Sequence, residues 1–148
     1  MKEEENSRRL CTLRKGGDMT FTTEEIKRIN VDENEEWSFP AYGYTEVSVP
    51  LSVDESLKEK ACKFLEMPYE LVCKNGWIDT YAYVDFEERK VIRIYFDIYP
   101  HDENLPEKEL EISITNNMEA NELYAQLATT NGFEEFIDEC IQAKEDNE

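Results

Sequence analysis

The side chains able to do covalent or acid–base chemistry are scarce in this chain, with one exception. Its only imidazole, His101, lies in Pro100-His101-Asp102-Glu103, a polar stretch closed by Pro106, and reads as a surface histidine rather than a general base. The four cysteines, Cys11, Cys62, Cys73 and Cys140, include no Cys-x-x-Cys pair. With a single histidine they supply no close-spaced zinc ligand set. Most of them stand beside apolar residues, which suits small buried hydrophobes in a reducing, cytoplasmic compartment. A disulfide is the alternative. There is no nucleophile elbow, P-loop, dinucleotide fingerprint or metalloprotease motif, and five glycines leave little for a phosphate cradle. We therefore assign no catalytic residue, no cofactor and no metal.

The exception is the carboxylate. Asp and Glu number 35 against 16 Lys and Arg, a net charge of −19 over 148 residues. With so many acids, close pairs are unavoidable, so spacing alone points to no glycosidase-type pair. Asp32-Glu33-Asn34 and Asp102-Glu103-Asn104 lack the glycine-centred spacing of a calcium loop and read as solvated loop acids. The charge excludes ordinary nucleic-acid binding, which needs a basic surface to neutralise phosphates. It also repels acidic membranes and attracts basic protein surfaces at long range. No apolar run approaches a membrane span, and no signal peptide is expected.

The charge is uneven along the chain. The first 30 residues hold seven bases against six acids; from Pro100 onward there are 14 acids and only Lys108 and Lys144. Two clusters of candidate contact residues follow. The first is acidic: Glu107, Glu109 and Glu111 alternate along one segment, Glu119 and Glu122 follow, and Glu134, Glu135, Asp138 and Glu139 stud a helical stretch. Five acids over residues 134–145 give about one charge per 4 Å of helix, close to the roughly 3.4 Å phosphate spacing of a DNA strand. Such a surface suits the cationic groove of a nucleic-acid-binding protein. The other reading is an acidic protein kept dispersed by its carboxylates.

The second cluster is aromatic: Tyr81, Tyr83, Arg93, Tyr95 and Tyr99, joined by Asp85 and Asp97. Tyrosine and arginine are enriched at binding hot spots. This face is either a contact surface, for a partner or for a second copy in a homodimer, or a packing layer beneath the N-terminal segment or Trp37-Ser38-Phe39.

The elements that must position these residues follow from periodicity. Residues 1–7 read as a flexible tail and residues 8–148 as a single domain. Lys15-Gly16-Gly17-Asp18 suits a hairpin turn between Leu10–Leu13 and Met19–Phe21. Thr22-Thr23-Glu24-Glu25 is a capping box for a short helix with Ile26 and Ile29 on its apolar edge. Val31–Glu36 is irregular, and Tyr44–Val49 alternates as a strand. Ser52-Val53-Asp54-Glu55 reads as a second capping box, for a helix that places Leu57, Ala61, Phe64 and Leu65 on one face and stops before Pro68. Tyr69–Cys73 reads as a short strand, with Asn75-Gly76 as a hairpin turn.

Thr80–Phe86 and Lys90–Tyr99 are the clearest strands, around a loop Glu87-Glu88-Arg89. A three-residue loop pairs Val84 with Ile92 and Ala82 with Ile94, putting Ile92, Ile94, Phe96 and Ile98 on the core face and the tyrosines on the other. Glu109–Thr115 is a further strand with Leu110, Ile112 and Ile114 inward. Asn116 starts a helix carrying Ala120, Leu123 and Leu127, and Asn131, with Glu134, caps the last helix. That helix buries Phe133, Phe136, Ile137, Cys140 and Ile141 and frays from Lys144. The pattern is α+β: an antiparallel sheet of four to six strands, helices on one face, and two consecutive C-terminal helices.

In size and acidity the chain resembles the small inhibitors that phages and mobile elements direct at host defence nucleases, anti-CRISPR proteins and DNA mimics among them. The resemblance implies a non-catalytic, cytoplasmic inhibitor whose partner offers a basic surface. A carboxylate-dependent enzyme is a further alternative.

Overall fold

The structure, a computed structural model, describes residues 20–40, 43–102 and 104–146, and only the backbone of 73–75. The expected hairpin around Gly16-Gly17 lies outside the described residues, as does the expected tail. The described chain runs α1 (Thr23–Ile26), β1 (Asn30–Val31), β2 (Glu46–Ser52), α2 (Glu55–Phe64), α3 (Tyr69–Asn75), β3 (Trp77–Asp85), β4 (Lys90–Tyr99), β5 (Lys108–Ser113), α4 (Asn117–Leu127) and α5 (Phe133–Asp146). The strands form one antiparallel sheet in the order β1-β2-β3-β4-β5. This is the α+β architecture that the alternating and helical periodicities imply.

The core lies between the helices and one face of the sheet. Val47, Val49 and Leu51 of β2 point into it with Ala82 and Val84 of β3, Ile94, Phe96 and Ile98 of β4, and Leu110 and Ile112 of β5. Leu57 and Ala61 of α2, Leu123 and Leu127 of α4, and Phe133 and Ile137 of α5 close over them. The caps of α1 and α4 form as their sequences imply. Thr22 and Glu25 make a reciprocal capping box, and the Asn116 side chain accepts the Glu119 N–H at 3.0 Å.

Several local expectations are corrected. Tyr69–Cys73 is not a strand but part of α3: Pro68 opens the helix, its carbonyl accepting the N–H groups of Leu71 and Val72, and Glu70 sits in the favourable first turn. Asn75-Gly76 is then no hairpin but the end of that helix. Gly76 has an ordinary extended φ of −132°, and glycine is required for a different reason: a Cβ there would stand 1.9 Å from the Tyr99 carbonyl oxygen. The cap of α2 is Asp54, whose carboxylate accepts the Leu57 N–H at 3.1 Å, while Ser52 remains in β2.

β2 begins at Glu46 and runs on through Pro50. The proline is tolerated because its side of β2 meets only the two-residue β1, and its carbonyl accepts the Asp32 N–H. Before α5 the carbonyl of Gly132 (φ +89°), not that of Asn131, accepts the Phe136 N–H, and the Glu134 carboxylate turns to Arg89 and Tyr124. The helix continues to Asp146, with Lys144 paired to Glu87 at 3.1 Å.

The β3–β4 hairpin also differs in its turn. Asp85 pairs with Lys90 and Val84 with Val91, so four residues, Phe86 to Arg89, form the loop. A bulge follows and restores the expected register from Tyr83–Arg93 onward, including Ala82–Ile94. The extra residue is Ile92, which is only partly buried, and Val91 takes the core position expected of it. Phe86 plugs the turn, fully buried, and Arg89 completes it with a left-handed φ of +57°.

Candidate interaction surface

Because side chains alternate along a strand, the residues not committed to the core share the opposite face of the sheet. The register sets them in rows. Trp77 lies across from Tyr99, and Asp79, Asp97 and Glu109 stand side by side on three strands. Next come Pro50, Tyr81, Tyr95 and Glu111, then Ser48, Tyr83, Arg93 and Ser113, then Glu46, Asp85 and Lys90. None of these residues belongs to the core cluster that the helices cover, so the face is turned away from the helical layer.

The rings pack on one another. Tyr81 and Tyr95 are stacked, with centroids 5.4 Å apart and planes 8° from parallel, and Tyr83 lies 5.3 Å from Tyr95. Trp77, 50% exposed, sits 5.2 Å from Tyr99 and 4.6 Å from the exposed His101 ring. The Arg93 guanidinium lies over Tyr83, 5.2 Å from its centroid, and pairs with Glu46. Tyr81 donates its hydroxyl to Asp97 Oδ2 at 2.8 Å, leaving Asp97 Oδ1 buried without a hydrogen bond. Burial, and next the hydrogen bond to Asp97, push the Tyr81 phenol far above its ordinary value. Burial also raises Tyr95 and Tyr99, helped by Glu111 and Asp97 respectively. All three therefore remain neutral hydroxyls.

Of the two covers expected for the tyrosines, the N-terminal segment before residue 20 lies outside the described residues, and Trp37-Ser38-Phe39 does not lie over them. Trp37 packs edge-on against Phe133 and Phe136, and Phe39 stacks on Phe136 at 5.7 Å, all at α5. The loop preceding them does border the face: Asp32, Glu35 and Glu36 line an open groove of about 460 Å³ with Pro50, Asp79 and Tyr81. The groove adds carboxylates to the rim of the aromatic rows.

The acidic candidates are divided between the two layers. Glu109 and Glu111 belong to the outer face of β5, and Glu107 lies just before that strand, half-buried. Glu119 and Glu122 stand on α4, and Glu134, Glu135, Asp138 and Glu139 on α5, in the layer packed against the opposite face. Several of these are engaged locally. Glu119 accepts the Phe21 N–H at 2.9 Å. Arg89 bridges Glu134 at 3.0 Å and Asp138 at 2.9 Å, and Glu134 also accepts the Tyr124 hydroxyl. Glu122, Glu135 and Glu139 are exposed. The helical carboxylates thus do not continue the β5 row, and two of them are paired with Arg89 of the β3–β4 turn.

Sequence reasoning missed the Asp79–Asp97–Glu109 row, the groove acids, and the roles of Trp77 and Arg89. The row was accessible once β3, β4 and β5 were aligned on their apolar residues; Arg89 gave no signal, because its partners are 35 to 49 positions away.

Other chemistry-bearing residues take structural places. Cys62 and Cys140 are buried free thiols, and burial, then a neighbouring glutamate, pushes each up to about 11. Asp32 and Asp102 accept the N–H groups of Asn34 and Asn104 in local turns. Among the described residues no three His, Cys, Asp or Glu side chains are placed to hold a metal ion, and no helix is long and apolar enough to cross a membrane. No family model, curated protein or solved structure matches this chain.

Proposed function

We propose that this protein is a non-catalytic, acidic binding module of the cytoplasm. On this reading its outer sheet face engages the basic surface of a nucleic-acid-binding protein or nuclease and inhibits it by occupying the place of nucleic acid. The observation that carries the reading is the composition of that face. Glu46, Asp79, Asp85, Asp97, Glu109 and Glu111 surround the tyrosine rows, while the cations of this face among the described residues, Arg93 and Lys90, are paired with Glu46 and Glu88. Rings supply contact area at low entropic cost, and carboxylates steer a cationic partner and fix its register. A self-complementary dimer through this face is disfavoured, because it would bring two such carboxylate sets together in a low-dielectric contact.

The test is capture from host lysate at low and high salt, followed by competition with double-stranded DNA. The expected result is a basic protein retained at low salt, released as ionic strength rises, and displaced by DNA. Reversing Glu109 and Glu111 to lysine should abolish capture, whereas reversing Glu135 and Glu139 on α5 should leave it within about threefold, circular dichroism confirming that both variants fold. The opposite ranking refutes the outer face as the contact. A partner that DNA does not displace refutes the inhibitor reading.

A further inference from the structure

The outer face is not evenly wet. On β2 Ser48 is exposed, as are Trp77 and Asp79 at the start of β3. On β4 and into β5 the burial rises: Arg93, Tyr95, Asp97, Tyr99, Glu109 and Glu111 are all half-buried. Asp97 Oδ1 and Arg93 Nε are shut off from water. β5 is the last strand of the sheet among the described residues, and glutamates on such a strand ordinarily stand in water. The described elements do not account for this burial. The helices pack on the other face, Trp37 and Phe39 pack on α5, and the loop carrying Asp32, Glu35 and Glu36 borders the β2 side.

Residues 1–19 lie outside the described chain, and Thr20 and Phe21 fix where that segment joins the body. The Thr20 carbonyl accepts from Lys60 of α2 at 3.0 Å, and the Phe21 N–H donates to Glu119, in the first turn of α4, at 2.9 Å. Both helices meet β5 nearby. Lys108, the first residue of β5, donates to the Leu65 carbonyl just past α2 at 3.2 Å, and α4 opens at Asn117, shortly after β5 ends at Ser113. The segment therefore joins beside the β5 edge. At about 3.3 Å per residue, the stretch from Thr20 back to Lys15 can span roughly 16 Å, more than the roughly 10 Å between packed layers. Its composition complements the face. Arg8-Arg9-Leu10-Cys11-Thr12-Leu13-Arg14-Lys15 holds four cations, two leucines and no acid.

We propose that residues 8–15 dock on the β4–β5 side of the outer face and occupy it in cis. Their cations meet the carboxylates of β4 and β5, and Leu10 and Leu13 lie against the tyrosine rings. Charge complementarity fixes the register of the contact, and the short tether holds the segment at an effective concentration in the millimolar range. The docking does not depend on the proposed function. Combined with it, the docking sets up a competition: a basic partner must displace the segment, so its apparent affinity is reduced by the fraction of time the face is open.

The experiment places a nitroxide on Cys11 of the full chain carrying Cys73→Ser. Cys62 and Cys140 are buried and their thiols, pushed up to about 11, react slowly. Ring resonances of the same sample with the nitroxide reduced provide the reference, and their match to the unlabelled protein shows that the fold is kept. The expected result is that Tyr81 and Tyr95 lose most of their ring intensity, while Tyr124, buried in the helical layer, keeps most of its own. Arg8→Gln, Arg9→Gln and Arg14→Gln together should restore the lost intensity. Without the label, that triple variant should bind a nine-residue oligoarginine about three- to tenfold more tightly than the unmodified chain, the gain from freeing a face open about a tenth to a third of the time. Lys27→Gln, Arg28→Gln and Lys63→Gln together, a control of equal net charge, should change that affinity by less than about twofold. Full intensity at Tyr81 and Tyr95, or an equal loss at Tyr124, overturns the docking and leaves the acidic binding module standing. A triple variant that gains no more than its control also overturns it, because the face was then open throughout. Docking reported by the label, with oligoarginine bound by no form of the chain, supports the docking and refutes the binding module.

Discussion

Arg89 ties the sheet to both C-terminal helices, and its replacement by alanine tests that description quantitatively. Its guanidinium donates to the Tyr124 hydroxyl at 3.2 Å and pairs with Glu134 at 3.0 Å and Asp138 at 2.9 Å. These contacts, first those to Asp138 and Tyr124, raise the affinity of the guanidinium for its proton. The side chain is 39% exposed and its carboxylate partners 46% and 69%, so water and salt screen both pairs. Exposed pairs contribute about 0.2–1 kcal/mol each. Two pairs sharing one ordered guanidinium, with a hydrogen bond to Tyr124, come to about 1–2 kcal/mol. For a chain of this length that is a fall in Tm of roughly 3–6 °C.

The assay is urea unfolding at 20 mM and at 1 M NaCl, each variant compared with the unmodified protein at the same salt. The deficit of Arg89→Ala should shrink by half or more at high salt, where the screening length falls to about 3 Å. A second variant isolates the backbone. Arg89 has φ +57°, a conformation that costs a non-glycine residue about 1 kcal/mol and a glycine little. Arg89→Gly loses the same ion pairs but relieves the backbone, so it should be more stable than Arg89→Ala by about 0.5–1 kcal/mol. If Arg89→Ala matches the unmodified protein at low salt, or its deficit ignores salt, the described bridge between hairpin and helices is wrong.

Two further outcomes follow from the same geometry. Gly76→Ala places a Cβ 1.9 Å from the Tyr99 carbonyl oxygen and 2.8 Å from the Pro100 backbone, atoms that cannot rotate away; it should cost at least about 2–3 kcal/mol in denaturant unfolding, and a cost below 0.5 kcal/mol would contradict the close approach of β3 and β4 there. Two helix N-termini are acid-sensitive. The Glu25 carboxyl lies below its ordinary 4.5, because the Thr22 N–H and Lys60 together outweigh the opposing effect of burial. Asp54 lies below 3.8, held down first by the Ser56 hydroxyl and then by the Leu57 N–H and Arg28. Groups with depressed folded values stabilise the fold above their unfolded values and lose that contribution as pH falls through the folded ones. Stability measured by urea unfolding should therefore fall as pH drops below 4.5, with Asp54→Asn showing a shallower fall below 3.8.

Periodicity made the sheet legible wherever one face is buried. Ala82, Val84, Ile94, Phe96, Leu110 and Ile112 specify both the core face and, by alternation, the tyrosine and carboxylate rows opposite. It failed where two neighbouring apolar residues compete for one position. Val91 and Ile92 are both β-branched, and only the four-residue turn, closed by a left-handed Arg89, decides that Val91 goes inward. It failed again at Tyr69–Asn75, too short for a helical period to show, where Pro68 and Glu70 were the available signals. Gly76 misled because an Asn-Gly pair reads as a turn, whereas what excludes a side chain is a carbonyl on a strand distant in sequence. The two candidate surfaces fared differently for the same reason. The tyrosine face follows from strand alternation, a local property, but whether helical acids meet cations depends on tertiary contacts such as Arg89 with Glu134, which no local pattern encodes.

The placement of the cations gives the acidity its direction. Arg28 pairs with Asp54, Lys60 with Glu25, Arg89 with Glu134 and Asp138, and Lys144 with Glu87, so these neutralisations fall on helix caps, the hairpin turn and the helical layer. The outer face keeps Arg93 and Lys90 at one end, while Asp79, Asp97 and Glu109 stand in register on adjacent strands. Neighbouring strands lie about 4.8 Å apart, well inside the roughly 8 Å screening length of physiological salt, so Asp79 and Asp97 feel one another's charge. Like charges directly opposite on a sheet destabilise it, and the orphaned Asp97 Oδ1 adds a cost of its own. Threonine or tyrosine at these positions would serve the fold better. On the proposed reading a cationic partner reverses the sign of that contribution, since its charge relieves the repulsion between Asp79 and Asp97 as it binds. On that reading, the feature of the sheet that weakens the free protein is the one that a cationic partner relieves, which is why the outer face rather than the helical layer is proposed as the binding side.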